Sequence, residues 1–339
     1  MRQSLVLCLV ATCFACAGPR FELDDLPTEP IAIVYRTVEE ADRVLDMFQQ
    51  QEKAKRNQRP GASGRFQVEM EKLEQLAGWR GEAEVLRDQL GRLALFEAPT
   101  GEIEVADFAP RGARPLEWSA DRRRLLFSAA SRKKQQLFEW DAERREVRQL
   151  TTGRWSYSDG CYGPDGAIAY VEVARPKGQL PTSRIWIRRP GEAARPLTDG
   201  PADGEPSWSP RGDRIVFVRI GGARREWLHW VDPESGEVGA LTRGRSPTFT
   251  PDGAWIVYSA KTRDTWKLWR MHADGSSRLR FGASAFHEND PATSPDGRFV
   301  AFAGSKQERS AASRLFVRPL DGSPDRQLEL SGSALVPVW

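Results

Sequence analysis

The sequence predicts a mainly β protein built as a six-bladed β-propeller, and three observations carry that expectation. A turn motif returns along the chain, its copies lie 41 to 46 residues apart, and an alternating strand follows each of the first five. Composition agrees. The 339 residues include 29 Gly, 23 Pro and 12 Trp, a profile of many turns and aromatic-anchored strands, and a chain this long can bury a sizeable core. A net charge of +3 makes no global demand for a polyanionic partner.

The motif has the form Pro-x-aromatic-Ser-Pro-Asp-Gly. It is clearest at Pro206–Gly212, Pro247–Gly253 and Pro291–Gly297, with looser copies at Trp118–Asp121 and Tyr162–Gly166, and the chain ends on a sixth start, Pro337-Val338-Trp339. Anchors at 118, 162, 208, 249, 293 and 339 give the period of a four-stranded propeller blade. Behind them, the pairs Leu125/Phe127, Ile168/Tyr170, Ile215/Phe217, Ile256/Tyr258 and Val300/Phe302 alternate with period two and share a face. The Pro-Asp-Gly between anchor and strand is turn chemistry, since Pro fixes φ and Gly accepts positive φ. A third strand follows in each blade, for example Leu137–Trp140 and Leu228–Val231, and several outer strands end in Leu-Thr, as at Leu150-Thr151 and Leu197-Thr198.

The unfinished sixth start needs a partner. Leu93–Ile103 aligns without gaps on Leu137–Val147, the third and fourth strands of a blade, so Leu335–Trp339 is expected to pair beside residues 92–108. Closing the ring in this way removes open sheet edges.

These residues resemble the propeller repeat of the TolB family, periplasmic proteins of the Tol-Pal envelope system. The resemblance covers residues 92–339 and implies six blades and a non-enzymatic role in docking an envelope protein, such as a peptidoglycan-associated partner. The same repeat serves peptidase gating domains, so it specifies fold more sharply than function.

The N-terminal third has a different texture. Arg2 followed by the apolar run Leu5–Ala15 reads as a signal peptide over residues 1–15. Ala15-Cys16-Ala17-Gly18 resembles the end of a lipobox, which makes Cys16 the expected lipidation site, with Cys13 as the alternative. A lipidated Cys16 tethers the N-terminus, a departure from the soluble TolB pattern. The absence of Asp at position 17 favours an outer-membrane lipoprotein facing the periplasm. Residues 16–30 are then a linker. Residues 31–91 are expected to form a small α/β or helical cap. In that cap Ile31–Tyr35 is a strand, and Thr37-Val38-Glu39-Glu40 is a capping box opening a helix with Ala41, Val44, Leu45 and Phe48 on one face. Two further helices are expected around Phe66–Leu76 and Ala83–Leu90. If cleavage precedes Cys16, the mature chain keeps Cys16 and Cys161, and no disulfide framework is expected.

A propeller's functional surface gathers where its innermost strands converge on the axial channel. Three residues before each anchor stand Pro115, Asp159, Glu205, Ser246, Asp290 and Val336, and His287-Glu288-Asn289-Asp290 adds a polar cluster. Asp159, Glu205, His287, Glu288 and Asp290 are therefore the candidates for binding a basic partner segment or an ion at the channel mouth; the plainer reading is that they cap backbone groups. With three histidines and no nucleophile elbow or phosphate loop, no catalytic residue, metal or cofactor is assigned. The alternative function is a propeller-class lyase or hydrolase acting on an envelope or extracellular polymer. The Arg-rich first blade, interleaved with Asp121, Glu139, Asp141 and Glu143, reads as a solvated surface. Nucleic acid is not an expected partner, and the propeller is expected to be monomeric within a complex.

Overall fold

In the computed structural model, residues 21–44, 46, 91–132, 134–221, 225–282, 284–306 and 313–339 are described. The expected signal peptide, Cys16 and the two helices around 66–90 lie outside them. Among the described residues no helix is long and apolar enough to cross a membrane.

Among the described residues, twenty-four strands form six four-stranded antiparallel sheets. Five are consecutive in sequence: β4–β7 within residues 114–149, β8–β11 within 156–196, β12–β15 within 203–243, β16–β19 within 245–280 and β20–β23 within 287–327. The sixth assembles from both ends of the chain in the order β24 (Ser333–Val338), β1 (Ile31–Arg36), β2 (Arg92–Phe96) and β3 (Ile103–Val105). The first strands β4, β8, β12, β16, β20 and β24 touch one another in turn, and β24 returns to β4. Every predicted anchor sits at or just beyond the end of such a strand. Below, the lower face is where first strands end and the upper face is where they begin.

Closure differs from the sequence expectation in its direct partner. The C-terminal strand does join the sheet of residues 92–105, but it pairs with β1, through Val34↔Leu335 and Arg36↔Ser333, and β1 in turn pairs with β2. Ile31–Tyr35, read as a strand of a separate cap, is thus the second strand of the closing blade. The reason is burial: Ile31, Ala32 and Ile33 show no exposed surface, with Ile31 and Ile33 in the core of Phe299, Leu315 and Trp339 and Ala32 in that of Leu93 and Leu125. A continuous apolar run of this kind suits a central strand covered on both sides better than an edge strand. The capping box forms as expected, Thr37 N–H donating to Glu40 and Glu40 N–H to Thr37 Oγ1.

The expected linker is in part fastened to the disc. Phe21 packs on Phe299 at 5.2 Å and Leu26 is buried. The carbonyls of Asp25, Glu29 and Pro30 accept hydrogen bonds from Arg298, Trp339 and Arg122. Residues 21–30 therefore run over the lower face from the fifth blade to the first.

The lower-face turns share one geometry. A Ser or Thr hydroxyl donates to the Asp two residues on and accepts the backbone N–H five residues on, as Ser119, Thr250 and Ser294 do. Gly166, Gly212, Gly253 and Gly297 take φ of 67° to 78° there, and Arg122 holds the same left-handed position at φ 58°. Arginines then join neighbouring blades. Arg195 donates to the Pro233 carbonyl, Arg214 to Ala273 and Arg270 to Leu320, each reaching one blade forward. Guanidinium-to-carbonyl bonds of this kind add charge-assisted links where adjacent sheets share no backbone ladder.

Candidate functional site in the axial channel

The first strands carry an irregularity that recurs around the ring. Asp159, Glu205, Ser246, Asp290 and Val336 all adopt left-handed backbone, with φ between 38° and 51°. Each lies where the pairing of first and second strands slips, as between Ser158 and Gly160 or between Asn289 and Ala292. A bulge bends the strand and re-aims its side chain, at a conformational cost for a residue that is not glycine. These are the positions three residues before the anchor, the spacing singled out from sequence. Pro115 cannot follow, because its ring fixes φ near −65°. The slip in that blade falls between Pro115 and Glu117 and leaves Leu116 unpaired, and the adjacent Glu117 is an acid that the sequence reading did not single out.

The bulges place four polar residues in neighbouring positions across four blades, three of them joined by hydrogen bonds. The Asp159 carboxylate lies against the backbone of Gly204, 3.8 Å from where a Cβ would stand, and its charge acts on Glu205. Glu205 accepts the Ser246 N–H at 2.6 Å, and the Ser246 hydroxyl bonds Asp290 at 3.1 Å. Behind them, Arg245 donates to Asn289 at 2.7 Å and lies 3.9 Å from Glu226. Glu205 keeps some exposed surface, yet protein surrounds most of its carboxyl. That burial, reinforced by the Asp159 and Glu226 charges, pushes its pKa up to about 7 against the pull of the Ser246 amide and Arg245. Glu117, which accepts the Tyr162 N–H, is raised to about 8, again chiefly by burial.

His287 and Glu288 do not join this group. Glu288 has no exposed surface and is paired at 2.8 Å with Arg318, itself buried between Phe281 and Phe302. Its other oxygen accepts the Leu268 N–H at 2.8 Å. The third-strand amides of Leu137 and Ile185 make the same bond to the Thr151 and Thr198 hydroxyls of the Leu-Thr motif. The fourth blade closes on Phe281-Gly282 without that threonine, and Glu288 supplies the acceptor. Burial works to raise the Glu288 pKa, but Arg318 and the Leu268 amide outweigh it and the net direction is down. Glu288 is therefore structural, the backbone-capping role weighed from sequence. His287 is half-buried and accepts the Trp266 N–H through Nδ1 at 3.3 Å.

Among the described residues no group of three or more His, Cys, Asp or Glu is arranged to hold a metal. Cys161 is buried and its thiol pKa is pushed well up, chiefly by burial, consistent with a small core residue rather than a nucleophile. Part of the basic first blade is paired with the acids interleaved in it. Arg124 and Arg148 meet the buried Glu139 at 3.7 and 2.9 Å, and Arg123 meets Glu143 at 3.5 Å.

Known proteins with this architecture give a consistent picture. An uncharacterized protein of Agrobacterium fabrum is 26% identical over 217 residues, 62% of this chain and 72% of that protein. An uncharacterized Bacillus subtilis peptidase is 26% identical over 182 residues, half of this chain and 25% of the peptidase. The structure of a putative TolB from Agrobacterium tumefaciens superposes with a TM-score of 0.61 at 24% identity, over 69% of this chain and 86% of that one. TolB from Acinetobacter baumannii gives 0.63 at 14% identity, over 94% and 68%. At these identities the structural likeness speaks for the fold. The family profile described as the TolB beta propeller domain matches residues 89–283, more than half of the sequence. With its six four-stranded blades and their shared turn motif, the chain belongs to the TolB beta propeller domain family.

Proposed function

We propose that this protein is a non-enzymatic scaffold of the cell envelope, an outer-membrane lipoprotein anchored through Cys16, whose propeller docks another envelope protein by receiving a basic segment at its channel. The observation that supports this most directly is the chain of bulged residues. Asp159, Glu205 and Asp290 occupy one strained position in the second, third and fifth blades, and Ser246, at that position in the fourth, links Glu205 and Asp290 through its amide and hydroxyl. Strain repeated at a convergence point is common at ligand-contacting sites. Carboxylates on three strands offer a lysine or arginine side chain acceptors from several directions, and a peptide reaching them would pass the half-buried His287 near the upper rim. The likeness to TolB structures supports the envelope setting by analogy. The single experiment is a binding titration of a lysine- and arginine-rich peptide against the wild type and Asp159→Asn/Asp290→Asn. Loss of at least tenfold in affinity supports the reading, and unchanged affinity overturns it. Membrane fractionation of Cys16→Ser tests the anchor separately.

A further inference from the structure

The upper face carries arginines in a different state from those of the lower face. Below, Arg195, Arg214 and Arg270 each donate to a carbonyl of the next blade, even though Arg214 and Arg270 also lie over the Trp230 and Trp255 rings. Above, Arg154 lies over the Trp155 ring at 4.2 Å and Arg243 over Trp227 at 5.2 Å. Both side chains are exposed, and neither forms an ion pair within 4 Å among the described residues. Trp155 immediately precedes β8, and Trp227 pairs in register with Arg243 at the upper end of the third blade. The next blade repeats the arrangement, with Arg245 over Trp266 at 3.8 Å and Lys261 over the same ring at 5.3 Å; there the cations have polar partners as well. Three consecutive blades thus hold a cation on an indole at the same end of the disc.

The indole does two things. It fixes the arginine stem, which lowers the entropy lost when the fork is engaged, and it leaves the hydrogen-bonding edges facing outward. An exposed fork held in this way suits a planar carboxylate, which it binds through two parallel bonds. The cations are presented one or two per blade with Glu172 near Arg154, rather than as one continuous basic patch. That distribution suits an extended polymer with one anionic group per repeat, whose sugar rings can also lie on the partly exposed Trp155 and Trp227. We propose that the upper face binds a carboxylated polysaccharide, with Arg154 and Arg243 as the principal contacts. This is independent of the docking role of the channel.

The test uses the full chain and alginate as the carboxylated probe, with dextran as the uncharged one, in affinity electrophoresis and titration calorimetry. Wild type is expected to bind alginate, to ignore dextran and to weaken as salt is added. Arg154→Ala/Arg243→Ala should weaken alginate binding at least about tenfold. Arg123→Ala/Arg144→Ala removes the same charge from the lower face and should change it less than about twofold, a factor of the size expected from surface charge alone. Overlaid thermal melts exclude misfolding as the cause. The proposal is overturned by equal weakening in both double variants, by unchanged binding in the upper-face variant, by equal retention on dextran, or by tighter binding to duplex DNA or phosphatidylglycerol vesicles than to alginate.

Discussion

Replacing Glu205 by Gln removes a carboxyl that the fold holds in its protonated form well above the ordinary range. Its pKa rises from 4.5 to about 7 because the channel wall displaces water and Asp159 and Glu226 oppose its charge. Between those values the native state binds a proton that the unfolded chain has already lost. Stability contributed by this group is therefore fully present below pH 4.5 and falls as pH rises through 7. The rise from 4.5 to about 7 corresponds to about 3 kcal/mol across that window. Gln keeps an oxygen to accept the Ser246 amide, so the variant should lose the titration while keeping most of the hydrogen bond. Guanidinium unfolding of wild type and Glu205→Gln at pH 5 and pH 8 reads the effect as a difference of differences. The variant should gain relative to wild type by about 2–3 kcal/mol on going to pH 8. Asp159→Asn should shrink that gain, since one opposing charge has gone. A difference that is flat or reversed in pH would refute the assignment of the raised acid to Glu205.

Other outcomes follow from the packing. Trp339→Ala removes a buried ring that stacks on Phe299 at 6.4 Å and holds the Glu29 carbonyl, so unfolding in denaturant should show a loss of about 3–5 kcal/mol. Arg318→Met leaves Glu288 buried without its cation, and the same measurement should show a loss of about 3–5 kcal/mol, larger at pH 8 than at pH 4, where the carboxyl can protonate. Arg214→Ala breaks one link between the third and fourth blades and should cost about 1–2 kcal/mol in the same titration. Cys161 should resist a thiol-alkylating reagent in native buffer and react within minutes in denaturant, followed by mass spectrometry.

The blades were legible because each repeats a local chemistry. Ser-Pro-Asp-Gly dictates its own turn, and Ile215/Phe217 or Ile256/Tyr258 announce the strand behind it without reference to distant residues. The positions three residues before each anchor were legible for the same reason, and five of the six share a left-handed backbone. What local pattern could not settle was the partner of an element that pairs at long range. Ile31–Tyr35 reads as a strand wherever it lies, and only tertiary contact shows it between β24 and β2, roughly three hundred residues from one partner and sixty from the other. Glu288 likewise reads as a channel acid until the missing threonine of the fourth blade draws it into the core toward Leu268 and Arg318.

By itself the sequence determined the blade count, the turns and the spacing that repeats around the ring, because all of these are periodic and local. The tertiary structure decided which strand closes the ring, that Glu288 is drawn into a buried pair with Arg318, and which arginines reach the carbonyls of neighbouring blades. Those outcomes depend on burial and on competition for partners between residues far apart in the chain, quantities that a linear pattern does not contain.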